Sequence, residues 1–291
     1  MLEISEPAPA KINLFLHIQG RLDNGYHLLE SLVVFADLGD QVTVRPAAEF
    51  SVTLEGPFAS AVSDENNIIA KAASLFAAAS GCKLDVDILL LKNLPVGAGI
   101  GGGSADAAAT LRALQRYTGI ELSETMLRKI AIELGADVMV CLQSRPAIMT
   151  GVGEQLQFLS GFPACAILLV NPGVHVDTAS IFRALDLVQC PKRPSFNSDI
   201  SCYRGLTTVL ATTGNDLIEP ATKVAPIIKT GLKETTIGDA NGMSGSGATC
   251  FAVFPALCNA EAAAKELQER HPNWWIAAST IRPMRNHVIP A

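Results

Sequence analysis

The chain has 291 residues and lacks several features that would place it in a class at once. It contains no run of Lys or Arg, and its formal net charge is −6, so neither nucleic acid nor an anionic membrane surface is expected as its main partner. Apolar stretches such as Ala164 to Val170 fall well short of the roughly 18–20 residues needed to cross a bilayer, and no membrane association is expected. The start, Met1-Leu2-Glu3-Ile4-Ser5-Glu6, has no basic segment of the signal-peptide kind, which points to the cytoplasm. The seven cysteines are scattered, with no C-x-x-C pair, and read as buried thiols instead of zinc ligands or a disulfide frame. Charged residues amount to only 17% against 49% hydrophobic, the apolar end of globular compositions and far from the disorder signature. No internal repeat is visible.

What is present is a folded chain long enough for about two domains of roughly 150 residues. Its charge is uneven. Residues 1–160 carry 11 Lys+Arg against 18 Asp+Glu, a net of −7, while residues 161–291 carry 11 against 10, a net of +1. An anion bound by the first half must therefore be held by local groups.

Ile12, Leu14, Leu16 and Ile18 alternate onto one face of a strand, which leaves Lys11 and Asn13 on the other. Asp23-Asn24-Gly25 signals a turn, and the apolar run from Tyr26 through Phe35 returns as a second strand. Short strands are expected at Val42 to Arg45 and Phe50 to Leu54, and a helix after Asn66-Asn67, either of which could cap it. Leu84, Val86, Ile88 and Leu90 alternate with Asp85 and Asp87 in a strand wet on one side. An Ala-rich helix runs to about Tyr117, and another begins at Ser123 and ends at Gly135. Further on, the pattern suggests a buried strand over Ala166 to Val170, a basic loop at Pro191 to Pro194 and a helix over Glu219 to Leu232. It closes with a strand at Cys250 to Phe254, a helix from Asn259 to Arg270 and a strand from Trp274 to Ile281. Strands interleaved with helices imply an α+β second domain, with a boundary near residue 160.

The segment Leu94-Pro95-Val96-Gly97-Ala98-Gly99-Ile100-Gly101-Gly102-Gly103-Ser104 lies between a strand and a helix. Five glycines within seven positions leave a run of backbone N–H groups free of side chains, an anion nest, and the following helix adds the positive end of its dipole. Two familiar phosphate loops fail here. The G-x-G-x-x-G spacing is met, but the region about 20 residues on is a turn into a helix and not a second strand ending in an acid. A Walker A loop needs Gly-Lys-Ser/Thr, and this loop has Gly-Gly-Ser.

This loop closely resembles the Pro-x3-Gly-x-Gly-Ser-Ser region of the galactokinase, homoserine kinase and mevalonate kinase (GHMP) superfamily. Pro9-Ala10-Lys11-Ile12-Asn13-Leu14 is similar to that superfamily's first motif, and Met243-Ser244-Gly245-Ser246-Gly247-Ala248 to its third. Gly25-Tyr26-His27, Leu134-Gly135-Ala136-Asp137-Val138, Gly151-Val152-Gly153-Glu154 and Pro172-Gly173-Val174 narrow the resemblance to the 4-diphosphocytidyl-2-C-methyl-D-erythritol kinases of the non-mevalonate isoprenoid pathway. The resemblance implies an α+β, two-domain GHMP-kinase fold. A ribosomal-protein-S5-like domain that binds ATP and catalyses would span 1–160, and a ferredoxin-like, substrate-binding domain 161–291, with the site in the cleft between them. ATP would be the co-substrate with Mg²⁺, and 4-diphosphocytidyl-2-C-methyl-D-erythritol the acceptor, for a monomer or a homodimer.

Phosphoryl transfer needs a placed hydroxyl, a group that takes or orients its proton, and positive charge over the transferred oxygens. From the residues alone, Asp137 reads as a helix cap and Lys11 as a solvated lysine on an edge strand. The resemblance makes Asp137 the base and Lys11 its partner, since a neighbouring cation favours both the carboxylate and the developing alkoxide. By the same resemblance Asn13 orients the substrate and Tyr26 and His27 belong to the cytidine pocket, for which Thr178 and Phe182 are further candidates, Phe182 either as the opposing ring or as a core residue of a helix starting near Thr178. The triphosphate would lie along Pro95 to Ala105, with Ser104 near the β/γ oxygens. Asn67 and Lys92 are candidates for the adenosine end, each with a rival role as a cap or a solvated residue. Asp106 stands where related enzymes often have Ser-Asn or Ser-Ser, so either it helps Ser104 hold Mg²⁺ or it serves the helix dipole. Ala98 replaces a more usual glycine, which requires a negative φ there, and Met139-Val140 stand where Pro-Phe is common. A sister kinase for homoserine or mevalonate, or a nucleotide-binding module without catalysis, remains an alternative reading.

Overall fold

The computed structural model describes residues 3–63, 67–186, 193, 195–197 and 199–281. The chain divides into two compact units: Met1–Lys11, Leu38–Val96 and Gly101–Ser144 form the first, and Ile12–Asp37, Gly97–Ile100 and Arg145–Ala291 the second. The units alternate along the chain instead of meeting at one boundary near residue 160. The expected loop at Pro191 to Pro194 falls, Arg193 apart, outside the described residues.

Two long strands contribute to both units. β1 spans Ile4–Arg21 and β2 His27–Pro46, and they pair with each other. The expected break between Phe35 and Val42 is absent: Asp37 and Gln41 stay exposed while Asp40, 3% exposed, is satisfied inside the fold by Lys92. Gly39 permits the close passage of the chain, since a Cβ there would lie 2.2 Å from the Ala8 carbonyl oxygen.

In the first unit, Gln41–Pro46 of β2 pairs antiparallel with β4 (Val86–Leu91), and β3 (Ser51–Glu55) adds parallel to β4. Asp87 is buried in this sheet, not wet as the alternation suggested. It accepts from Ser51 at 2.7 Å, Thr53 at 2.9 Å and Arg45 at 2.9 Å. Burial alone would raise its carboxyl, but these bonds prevail and hold it below the usual range. Four helices complete the unit: α1 (Ile68–Ser80), α2 (Gly102–Thr118), α3 (Glu124–Leu134) and α4 (Val138–Gln143). Ala105, Ala108, Ala109 and Leu111 of α2 are buried, and small side chains at such spacing let neighbouring helices approach.

In the second unit, Leu29–Val33 of β2 pairs antiparallel with β5 (Ala147–Gly151), which turns back as β6 (Gln155–Phe158). A separate sheet has the order β10-β7-β9-β8, antiparallel throughout, from β7 (Ala166–Asn171), β8 (Ala240–Met243), β9 (Cys250–Phe254) and β10 (Trp275–Thr280). Between β7 and β8 lie α5 (Thr178–Ala184), α6 (Tyr203–Thr212), α7 (Ile218–Val224) and α8 (Ile227–Glu234), and α9 (Leu257–Arg270) follows β9. With its helical segment after the first strand and α9 before the last, this sheet has the ferredoxin-like β-α-β-β-α-β order. Ala260, Ala263 and Leu267 of α9 pack on Ala166, Leu168, Val170 and Ala252. The single helix expected over Glu219 to Leu232 is two, since Pro226 has no N–H to continue the ladder and opens α8 instead. Among the described residues, no helix is long and apolar enough to cross a membrane.

Candidate active site

The glycine loop owes its path to alternation. Gly97, Gly99 and Gly101 have φ of +66, +74 and +62°, which L side chains rarely adopt, while Ala98 and Ile100 between them are 4% and 1% exposed. Ala98 has no positive φ, so its replacement of a glycine is tolerated. The glycines also permit close packing, since a Cβ on Gly97 would lie 2.2 Å from His175 Nδ1 and one on Gly99 2.5 Å from the Gly247 carbonyl oxygen. In the first unit α2 starts at Gly102 with no side-chain cap on its first amides, and Ser104 lies in its first turn. A helix start of this kind leaves several N–H groups free for an anion. Ala105 is buried and can offer only its backbone.

The same unit brings Lys11 to Asp137. The Lys11 ammonium donates to Asp137 Oδ2 at 2.6 Å, and the two side chains are 5% and 33% exposed. Asp137 stands at the head of α4, where an aspartate can cap, but it makes no cap hydrogen bond. Its second carboxylate oxygen stays available to a hydroxyl. Gly101 leaves room for the lysine, because a Cβ on Gly101 would lie 3.0 Å from the Lys11 Cβ.

Three of the expected roles need correction. Lys92 is not a free cation for a nucleotide: it is 3% exposed and donates to Asp40 at 2.5 Å and Asp106 at 2.7 Å. Asp106, 2% exposed, is that lysine's partner through Oδ2, while its Oδ1 is buried without a hydrogen-bond partner. Burial pushes the Asp106 carboxyl well above the usual carboxylate range despite the adjoining Lys92 charge. The oxygen of Asn67 is occupied by the cap of α1, accepting from the Ile69 amide at 2.9 Å and the Ala70 amide at 3.4 Å. The triad still serves the loop, since it lies directly behind the start of α2: a Cβ on Gly102 would be 3.1 Å from Lys92 Nζ.

In the second unit, the Asn13 amide nitrogen of the side chain donates to Ser31 Oγ at 2.8 Å, and Ser31 donates to the Phe15 carbonyl at 2.6 Å. Asn13 Oδ1 is buried and has no hydrogen-bond partner. An orphaned buried acceptor is costly unless a ligand or water satisfies it, which fits a substrate hydroxyl. His27 and Phe182 lie together, ring centroids 5.1 Å apart at 32°. Burial, and then the Arg21 charge, lower the His27 pKa, which keeps the ring neutral at pH 7. Tyr26 is not brought into this pair; it is 64% exposed, in a turn where its backbone amide donates to Asn24 Oδ1. Thr178 is hydrogen bonded to Ser246 at 2.8 Å, next to the third glycine-rich segment.

That segment packs on the first loop in the same unit. The Ser244 hydroxyl accepts from the Asn13 backbone amide at 3.1 Å and donates to the Gly99 carbonyl at 2.8 Å, and the Thr249 amide donates to the Ala98 carbonyl at 3.2 Å. Residues that the sequence reading did not single out support it, chiefly Asn215, whose amide donates to the Met243 and Gly245 carbonyls. The only signal for them in the sequence is a Gly-Asn-Asp turn between helices.

Comparison with known proteins places the chain in a family. Residues 67–145 match the GHMP kinases N terminal domain. The 4-diphosphocytidyl-2-C-methyl-D-erythritol kinase of Paramagnetospirillum magneticum is 43% identical over 97% of this chain and 99% of its own. That of Dinoroseobacter shibae is 44% identical over 94% of each. A crystal structure of 4-(cytidine 5'-diphospho)-2C-methyl-D-erythritol kinase, 32% identical, superimposes with a TM-score of 0.79 over 95% of this chain and 98% of that one. Identity at this level over nearly the full length, on a GHMP-kinase fold with its glycine loop and Lys11–Asp137 pair in place, makes the chain a member of the 4-diphosphocytidyl-2-C-methyl-D-erythritol kinase family.

Proposed function

We propose that the chain transfers the γ-phosphoryl group of ATP to the 2-hydroxyl of 4-diphosphocytidyl-2-C-methyl-D-erythritol. The observation that carries this reading is the Lys11–Asp137 pair, in which a partly exposed carboxylate is fixed by a buried ammonium and left uncommitted to the helix it heads. Asp137 accepts the hydroxyl proton as the oxygen attacks phosphorus, and Lys11 holds the carboxylate in place and favours the negative charge that develops on that oxygen. The open amides at Gly101 to Ser104 receive the phosphate oxygens, with no basic side chain needed in the loop.

Asn13 Oδ1, buried and unpartnered, accepts from a hydroxyl of the acceptor and so orients it. Neutral His27 and Phe182 receive the cytosine ring, supplying an aromatic face and a ring nitrogen. Such an aromatic end is of no use to a homoserine or mevalonate kinase, and a nucleotide-binding module has no use for a base. Of the residues proposed for Mg²⁺, Asp106 has Oδ2 on Lys92 and Oδ1 buried without a partner, and Ser104 offers a hydroxyl from the first turn of α2. Among the described residues no cluster of three His, Cys, Asp or Glu could hold a metal alone, which fits an ion carried mainly by substrate phosphates. Bound there, Mg²⁺ would neutralise charge on the transferred group.

The test is purified protein with ATP, Mg²⁺ and the cytidine diphosphate substrate, beside Asp137→Asn. Transfer to the substrate, lost in the variant, is expected. Equal rates in the two would sink Asp137 as base, and transfer to homoserine or mevalonate alone would favour a sister kinase.

A further inference from the structure

The turn Gly214-Asn215-Asp216 joins α6 to α7 and is bridged to β1, the Leu16 amide donating to the Gly214 carbonyl at 3.0 Å and the Asp216 amide to the Leu16 carbonyl at 2.9 Å. Its two polar side chains reach opposite ways. Asp216 accepts from the Ile18 amide at 2.8 Å and from both Nη atoms of Arg193, at 2.8 and 2.9 Å. Asn215, 8% exposed, donates to the Met243 carbonyl at 2.8 Å and the Gly245 carbonyl at 2.7 Å, while its Oδ1 accepts from the Leu217 amide at 2.9 Å. A carboxamide with both donors and its acceptor engaged has one orientation.

The segment that Asn215 grips is held on another side by Ser244, which links the Asn13 amide to the Gly99 carbonyl. There is no slack in this packing. A Cβ on Gly245 would meet the Gly99 carbonyl oxygen at 2.9 Å, and one on Gly99 the Gly247 oxygen at 2.5 Å. Moving the Met243 and Gly245 carbonyls therefore moves Ser244, and with it the backbone of Asn13 and of the glycine loop.

We propose that Asn215 is a positioning residue for phosphoryl transfer, fixing residues 243–245 so that Asn13 and Gly99 stand where the reaction needs them. This rests on the kinase reading above. A displacement of about 1 Å remote from the reacting atoms lowers turnover by as much as about 100-fold.

Asn215→Asp keeps the shape and the acceptor for Leu217 but turns the donor side into a second acceptor, and Asn215→Ala removes both. Steady-state kinetics per folded molecule, thermal unfolding and affinity for a non-hydrolysable ATP analogue are measured for each. Tyr203→Phe, which removes a hydrogen bond to Asp239 in the same unit, calibrates a purely structural loss. The expected result is a kcat lowered about 10- to 100-fold in both Asn215 variants, with KM changed less than about threefold, and a wild-type kcat in Tyr203→Phe at reduced stability. Either folded Asn215 variant with a wild-type kcat overturns the proposal. Failure of both to fold overturns it too, because the residue then serves folding. A wild-type chain that transfers no phosphoryl group refutes the kinase reading instead, whereas an active wild type with indifferent variants refutes only the role of Asn215.

Discussion

Asp137 heads α4 but does not cap it; its carboxylate is instead held at 2.6 Å by Lys11, a side chain 126 positions earlier that is almost wholly buried. A carboxylate spent on a cap would have its lone pairs directed at the α4 amides. This one keeps an oxygen free on a solvent-reachable edge. Asp137→Asn is expected to lower kcat by about 100-fold or more, in the range of lost general-base catalysis, with the fold intact by circular dichroism. Lys11→Met should also lower kcat, and its loss should not be additive with that of Asp137→Asn in the double variant, because the two act as a unit.

The buried Asp40–Lys92–Asp106 group sets two acidic side chains around one ammonium behind the start of α2. Removing the cation strands both acids in a dry site, so Lys92→Met is expected to lower unfolding free energy by about 3–5 kcal/mol in urea titration. Asp106→Asn keeps the shape and removes the acid. The Mg²⁺ concentration for half-maximal rate in that variant should match the wild type, and a clear rise would restore Asp106 as a metal ligand.

His17 is buried against Phe15, ring centroids 4.8 Å apart, and neither of its ring nitrogens has a partner. Burial first, and then the Arg193 charge, lower its pKa from 6.5 to about 4. A depressed histidine stays neutral in the folded chain while the unfolded chain takes up a proton, so its contribution is complete above pH 6.5 and is lost as the pH falls toward about 4. The stability difference between wild type and His17→Leu, followed by denaturant unfolding, should shift against the wild type across that window. A difference independent of pH would contradict a neutral buried imidazole.

Phe182→Ala should raise KM for the cytidine substrate by roughly 5- to 150-fold, the span of 1–3 kcal/mol for a stacked base, and leave KM for ATP near the wild-type value. Because Tyr26 is exposed and outside the His27–Phe182 pair, Tyr26→Ala is expected to have the smaller effect. Initial-rate measurements with each substrate varied in turn distinguish the two.

Local pattern was enough to place the strand, glycine loop and helix around residues 86–118, the helix from Ser123 to Gly135 and the strand at Cys250, since each rests on periodicity with a cap or breaker at its end. It was not enough where a distant partner decides. Asp40 and Gly39 look like a loop in sequence, and they sit inside β2 only because Lys92, 52 residues on, neutralises the acid and the Ala8 backbone passes close to the glycine. For the same reason Lys92 and Asp106 read as ligand-binding charges. The β5–β6 hairpin escaped notice because its strands are five and four residues long and flank two glycines. The Lys11–Asp137 pairing was legible only through the motif resemblance, while the grip of Asn215 on residues 243 and 245 was not legible at all.

β2 also restricts how the sequence can vary. Its residues 29–33 are in register with β5 and its residues 41–46 with β4, so one unbroken strand answers to two sets of neighbours. Inserting or deleting a single residue between Val33 and Gln41 would leave one register correct and turn every side chain of the other through to the wrong face. A change of length in that interval is therefore costlier than one in a loop, and natural members of the family should keep its residue count fixed while their loops drift.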